Sequence, residues 1–184
     1  MNRRQFTRIA TAASIGRAAM SASDRVNLAV IGIRGQGRHL AGSFAGLPDV
    51  NLVHLCDVDE RVYANCAKAV EQRSGRPAPK LTKDLRRILD DKSVDAVAIA
   101  TPDHWHAAAT LMACAAGKDV YVEKPPAHTV RECRAMIGAA RKYQRIVTVG
   151  THSRSRPSTL RAIEYVRSGK IGNRVRDPFT MAAT

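Results

Sequence analysis

The sequence predicts an α/β protein built on a doubly wound parallel sheet with helices on both faces. Three observations carry that reading. Short runs rich in Val, Ile and Leu alternate with segments of helical spacing between residues 26 and 169. Those runs are almost continuously apolar, as strands are when both faces of a sheet are covered. Glycine or a Gly/Pro-rich stretch marks many of the joints, where the chain changes period. Strands that alternate with helices return to the sheet through crossovers, and crossovers produce parallel pairing.

Each element follows from its own residues. VNLAVIGI (26–33) reads as the first strand. Gly35-Gln36-Gly37 breaks it, and helical sequence runs on to about Gly46. NLVHLCD (51–57) is a second strand. Residues 59–73 form a helix with Val62, Cys66, Ala69 and Val70 on one face. SGRPAP (74–79) is a loop, Lys80-Leu81-Thr82 a short third strand, and residues 84–91 a short helix. VDAVAIA (94–100) is the fourth strand, followed by a helix over 107–117 that Gly117 closes. DVYVE (119–123) is the fifth strand. Residues 129–143 form an amphipathic helix that opens on a Thr129/Glu132 capping box. RIVTVG (145–150) is the sixth strand, and residues 158–169 a last helix ended by Gly169. Six strands are the count of a doubly wound dinucleotide fold, from which the order 3-2-1-4-5-6 is borrowed.

With 184 residues, the chain is one domain, or one domain and a fragment. No apolar run reaches the ~18 residues that a membrane helix needs. The net charge is +14, but much of the excess sits at the two ends, and residues 1–23 hold four Arg and no acid. The aromatic content of 4% argues against a base-stacking platform, so no nucleic-acid partner is expected. Cys56, Cys66, Cys114 and Cys133 form no Cys-x-x-Cys pair and no zinc spacing with histidine. They are expected as buried free thiols, and no metal is expected. His104 and His106 fall two apart in a loop.

The opening MNRRQFTRIATAASIGRAAMSAS resembles a twin-arginine export signal, with Arg3-Arg4, Phe6 and an Ala/Ser-rich stretch that Arg17 interrupts. Residues 1–23 are therefore set apart from the fold. The expected location is periplasmic or exported if the signal is functional, and cytoplasmic otherwise.

The first strand ends Gly32-Ile33-Arg34-Gly35-Gln36-Gly37. A dinucleotide turn reads Gly-x-Gly-x-x-Gly. Gly32 and Gly37 fit its first and third glycines, while the middle one is displaced to Gly35 and Arg34 holds its usual place. Backbone amides without an intervening Cβ can still approach a pyrophosphate at a helix start. Asp57 ends the second strand twenty residues beyond Gly37, where a carboxylate accepts the ribose hydroxyls of adenosine. Its charge favours NAD over NADP. Asp59 is the runner-up carboxylate, and Arg61 nearby leaves room for NADP.

A second cluster follows the fourth and fifth strands: Thr101-Pro102-Asp103-His104-Trp105-His106 and Glu123-Lys124-Pro125. Both lie at carboxyl ends of strands, where open α/β sheets bind ligands. Together with the glycine turn, Asp57 and the run Gly117-Lys118-Asp119-Val120-Tyr121-Val122-Glu123-Lys124-Pro125, they make residues 24 to about 172 resemble the Gfo/Idh/MocA oxidoreductases. The resemblance is to the amino-terminal, Rossmann-like NAD-binding domain of that family.

The resemblance implies hydride transfer between a nicotinamide dinucleotide and a sugar or polyol hydroxyl. It implies that Thr101, Pro102, Trp105 and His106 border the cofactor and that Glu123 touches the nicotinamide ribose side. Lys124 would be the catalytic residue, facing nicotinamide and substrate. Pro125 would carry a cis peptide that aims Lys124 into the cleft, and Arg154 matches a position near the cofactor. A homo-oligomer stays open. The family's second α/β domain would begin after Gly172, where NRVRDPFTMAAT follows. The expected organisation is an export signal over 1–23, a dinucleotide domain over 24–150, and a crossover helix with a truncated start of the substrate domain over 151–184. The expectation is a chain that binds NAD and turns substrate over poorly alone. An NAD-using glycosidase of the same fold and a non-catalytic NAD-binding module are the alternatives.

Overall fold

A computed structural model describes residues 25–172. The segment read as an export signal lies outside the described residues. The described chain falls into two compact units, divided between Val149 and Gly150.

The first unit is dominated by one sheet in the order β3-β2-β1-β4-β5-β6. Its strands are β1 (Val26–Ile31), β2 (Val50–Cys56), β3 (Lys80–Thr82), β4 (Ala96–Ile99), β5 (Asp119–Glu123) and β6 (Val147–Gly150). The pairs β1/β2, β1/β4, β2/β3 and β4/β5 are all parallel. β6 borders β5, where the Val120 N–H donates to the Ile146 carbonyl at 2.8 Å. The order is the one borrowed from the fold, and the reversal point lies between β1 and β4.

Both faces of the sheet are dry. Leu28 and Val30 of β1 point into one apolar cluster, Ala29 and Ile31 into the other. The first cluster is closed by α1 (Gly35–Ala45) through Ala41 and Ala45, and by α2 (Tyr63–Ser74) through Cys66 and Val70. The second is closed by α3 (Leu85–Asp90), α4 (Asp103–Ala115) and α5 (Val130–Lys142) through Ile88, Ala113, Met136 and their neighbours. Period-two alternation into two cores is what a continuous apolar run requires of a central strand.

One irregularity interrupts β1/β2. Leu28 aligns with Leu52, but Ala29 aligns with His54, so Val53 is an extra residue in β2. The two-residue period changes phase there. Val50 and Leu52 share one cluster with Leu55, while Val53 and Cys56 belong to the other.

Most boundaries fall within a residue or two of expectation. The fourth strand starts later, because Val94 closes a turn onto the Asp91 carbonyl and Asp95 reaches Asn27 before the ladder begins. α4 starts four residues earlier than expected. Pro102 is its N-cap and Asp103 stands in its first turn, where a carboxylate complements the helix dipole. His104 and His106 are therefore helical, not in a loop. Gly117 takes a left-handed φ of 77°, and its N–H and that of Lys118 bond back to Cys114 and Ala113. The Thr129/Glu132 capping box opens α5. Cys56, Cys66 and Cys114 are buried free thiols as expected, whereas Cys133 is half-buried on α5. The second unit holds a short 3-10 turn (His152–Ser155) and α6 (Pro157–Arg167). No helix among the described residues is long and apolar enough to cross a membrane.

Candidate dinucleotide-binding site

The carboxyl ends of β1 to β5 deliver the residues that the sequence singled out. A cleft of about 600 Å³ opens at the β1/β4 reversal. The glycine turn forms one wall with Gly32, Arg34, Gly35 and Gln36. Asp57, Val58 and Asp59 follow from β2, and Lys83 from the tip of β3. Thr101, Pro102, His104 and Trp105 close the far side, beyond β4.

Main chain, not side chain, builds the turn. A Cβ on Gly37 would sit 1.7 Å from the Gly32 carbonyl oxygen, and one on Gly32 would meet Ala100 and Thr101 backbone at 2.7 Å. Only glycine fits at either point. Gly35 differs: its Cβ would meet nothing within 4 Å, and its φ is 27°. Two glycines therefore press α1 against the strands while the third leaves bare backbone beside the cleft. Amides at a helix start, open to an anion, are what a pyrophosphate needs.

Asp57 straps this turn. Its Oδ2 accepts the Ile33 N–H at 2.9 Å, and its Oδ1 accepts the Asp59 N–H at 3.0 Å. A carboxylate offers about four lone-pair positions, so two such bonds leave capacity for two hydroxyls. Asp59 accepts from Arg61 twice, Nε at 2.8 Å and Nη2 at 3.0 Å, and also from Arg34.

Glu123, Lys124, His106, Ile33 and Gly37 do not line the cleft itself. Glu123 is buried and receives Gln36 Nε2 at 3.0 Å on Oε1 and the Lys124 N–H at 3.2 Å on Oε2. One carboxylate thus joins the glycine turn to the loop that carries Lys124. Burial, followed by the Glu123 charge, holds the Tyr121 phenol above its ordinary pKa. Lys124 is exposed, and its peptide with Pro125 is cis. His106 is buried, with Nδ1 2.6 Å from the Pro125 carbonyl and Nε2 2.8 Å from the Thr101 carbonyl. It bridges the two loops and presents neither nitrogen to the cleft. Trp105 is half exposed on the rim. Arg154 is exposed in the 3-10 turn of the second unit.

Sequence reasoning missed Val58, Lys83 and His104 as lining residues. The rule that ligands sit at strand tips would have found Lys83, the first residue after β3. Val58 is 85% exposed, an unusual place for an apolar side chain, and it stands between the two acids.

Comparison with known proteins agrees with this geometry. The family described as "Oxidoreductase family, NAD-binding Rossmann fold" matches residues 26–151. Levoglucosan dehydrogenase of Pseudarthrobacter phenanthrenivorans is 38% identical over 91 residues, 50% of this chain and 23% of its own length. Alpha-N-acetylgalactosaminidase of Shewanella oneidensis is 30% identical over 150 residues, 80% of this chain and 33% of its own. Among solved structures, GenD2 from gentamicin A biosynthesis in complex with NAD superposes with a TM-score of 0.71 at 27% identity, over 85% of this chain and 43% of its own. Levoglucosan dehydrogenase in complex with NADH and levoglucosan gives 0.68 at 27% identity, over 81% and 41%. The chain thus spans less than half the length of each of these proteins.

Proposed function

The chain belongs to the Gfo/Idh/MocA oxidoreductases, and from that premise we propose that its first unit binds NAD in the β1/β4 cleft for hydride transfer at a sugar or polyol hydroxyl. The observation that carries the reading is the glycine turn, closed by two glycines that admit no Cβ, open at Gly35, and strapped by Asp57. The residues present fit the coenzyme. Gly32 to Gly37 would hold the diphosphate on backbone amides, and Asp57 the adenosine ribose. Thr101, Pro102 and Trp105 would border the nicotinamide end. When bound, the coenzyme supplies a hydride acceptor.

The chain's own part is placement and charge. Lys124 would set an ammonium beside a substrate oxygen, favouring the alkoxide that oxidation requires. Glu123 fixes the amide of Lys124 and ties it to Gln36, so the lysine and the turn share one anchor. The negative charge of Asp57 favours NAD over its 2′-phosphorylated form.

Calorimetry tests the reading directly. NAD should bind the 184-residue chain, and Asp57→Ala should weaken it about tenfold or more, the loss of a charged hydrogen-bonding partner. Equal affinity in the two proteins would remove Asp57 from the site.

One observation favours a second reading: several relatives covering about 80% of the chain are glycosidases. Such an enzyme would use the same cleft and the same lysine, and would release a sugar with no net NADH. Steady NADH accumulation with a polyol, from the chain alone or joined to a second domain, would decide for the dehydrogenase.

A further inference from the structure

We infer that Asp103, His104, Trp105 and His128 form a subsite for the ring of an uncharged sugar or polyol, on the far side of the cleft from Asp57. The inference rests on the cofactor reading of the cleft and deepens it, by naming the groups of this chain that receive the substrate and the charge that the substrate carries.

Two segments meet there. The first turn of α4 supplies Asp103, His104 and Trp105, and the segment after β5 that carries Lys124 supplies His128. His106 ties the two together through the Thr101 and Pro125 carbonyls. The contact that steadies the lysine loop therefore steadies the cluster as well. His104 and Trp105 line the cleft, and Trp105 is 49% exposed, although an indole is a large apolar surface to leave in water. Asp103 places Oδ2 3.6 Å from His128 Nε2 and Oδ1 3.8 Å from His104 Nδ1. Both gaps are longer than a hydrogen bond. Among the described residues, Asp103 accepts only the His104 N–H, at 3.0 Å, so most of its lone pairs are unused. One carboxylate and two imidazoles thus share a patch with an indole without satisfying one another.

That combination suits a hydroxyl-rich ring. Such a ring offers a C–H face to the indole and vicinal hydroxyls that donate to a carboxylate and exchange hydrogen bonds with imidazole. A hydroxyl at the open side of either gap reaches Asp103 and a histidine at once. Other occupants fit less well. No group of three His, Cys, Asp or Glu side chains among the described residues is arranged to hold a metal ion. A sugar acid or sugar phosphate would bring its charge against Asp103, which no Lys or Arg pairs with among the described residues. The carboxylate therefore selects for a neutral ring.

Trp105 is the only tryptophan in the chain, so its emission, with NAD held saturating, reports on this patch. The test titrates the 184-residue chain with myo-inositol, glucose and glucuronate and reads that emission. Myo-inositol and glucose should change it saturably in the millimolar range. Glucuronate, the glucose ring with its terminal carbinol oxidised to a carboxylate, should bind about tenfold more weakly, the scale of one like-charge contact in partly screened surroundings. Asp103→Asn keeps the size of the side chain and removes its charge. It should weaken glucose about tenfold, the loss of a charged acceptor, and erase most of the difference between glucose and glucuronate. His128→Ala lies outside α4 and should weaken glucose a few-fold, a result that does not depend on Asp103→Asn folding. Equal half-saturation for glucose and glucuronate in the unaltered chain overturns the subsite. So does the absence of a saturable change with any of the three while calorimetry shows NAD bound, and either result leaves the cofactor site standing. If NAD does not bind the unaltered chain, the cofactor reading falls and this inference falls with it.

Discussion

Replacing Gly37 by alanine should damage this protein more than any other single-methyl addition in the glycine turn. The added Cβ would lie 1.7 Å from the Gly32 carbonyl oxygen and 2.7 Å from its carbonyl carbon. Ordinary contact is about 3.5 Å, so the two backbones must part by about 1.5 Å or more. Neither is free to move. The Gly32 N–H donates to Cys56 at 2.8 Å and the Ala100 N–H to Ile31 at 2.8 Å, which locks β1 between its neighbours. On the other side, Leu40 and Ala41 of α1 are buried. Overpacking a tight site costs typically 1–3 kcal/mol and more where backbone must shift, so we expect ~3 kcal/mol or above.

For a unit of this size that loss lowers the melting midpoint by ~10 °C. Two controls bracket it. Gly35→Ala meets no atom within 4 Å and pays only for its φ of 27°, an estimated ~1 kcal/mol. Gly42→Ala, inside α1 with open space around it, should stabilise by ~0.5–1 kcal/mol. Thermal unfolding followed by circular dichroism orders the three. A Gly37→Ala protein that melts with the unaltered chain would refute the packing of the turn described here.

Three further outcomes are expected. His106→Ala removes the bridge between the Thr101 and Pro125 carbonyls and opens a buried space; it should cost ~2–4 kcal/mol in denaturant unfolding, and a loss below ~0.5 kcal/mol would show the bridge to be idle. Burial, with Asp57 and Asp84 behind it, pushes the Cys56 thiol up to about 12, and burial pushes Cys66 up to about 11; a thiol reagent near neutral pH should therefore label Cys133 well ahead of these two, and all four only in denaturant. Hydrogen bonds from the Arg86 side chain and backbone hold the Asp84 carboxyl down to about 2, and Ser93 followed by His54 holds Asp91 below the usual carboxylate range. A folded-state pKa below the unfolded one stabilises above about pH 4 and is lost as pH falls below it. Acid unfolding should therefore steepen below pH 4, and less so in Asp84→Asn with Asp91→Asn; identical slopes would exclude both groups.

Much of the fold was legible because the strands are written in uninterrupted apolar runs. VNLAVIGI and DVYVE needed no knowledge of their partners to be read as strands. The order of those strands was not legible, since chain order carries no pairing information, and it came from the doubly wound fold class. The start of α4 was obscured because Asp103-His104-Trp105-His106 shows no apolar period, although Pro102 followed by Asp103 is itself a start signal. In the site, spacing alone led to the glycine turn and Asp57. The resemblance puts His106 beside the cofactor; the structure shows its ring nitrogens on the Pro125 and Thr101 carbonyls, the first a contact across nineteen residues that no local pattern reports. The same holds for Gln36 and Glu123, and for Arg34 and Asp59, separated by 87 and 25 residues.

The extra residue in β2 acts as a phase setter for everything downstream of it. Ahead of Val53 the even positions of the strand look toward α1 and α2; after it the odd ones do, as Leu55 shows. Asp57 inherits the later phase, and so arrives on the side where the Ile33 amide waits. Were these same residues paired without the bulge, each one beyond Leu52 would slip by one place along β1, and the acid would come out opposite a different residue and on the other face of the sheet. The position of Asp57 against the Ile33 amide is thus decided four residues upstream, in the middle of β2.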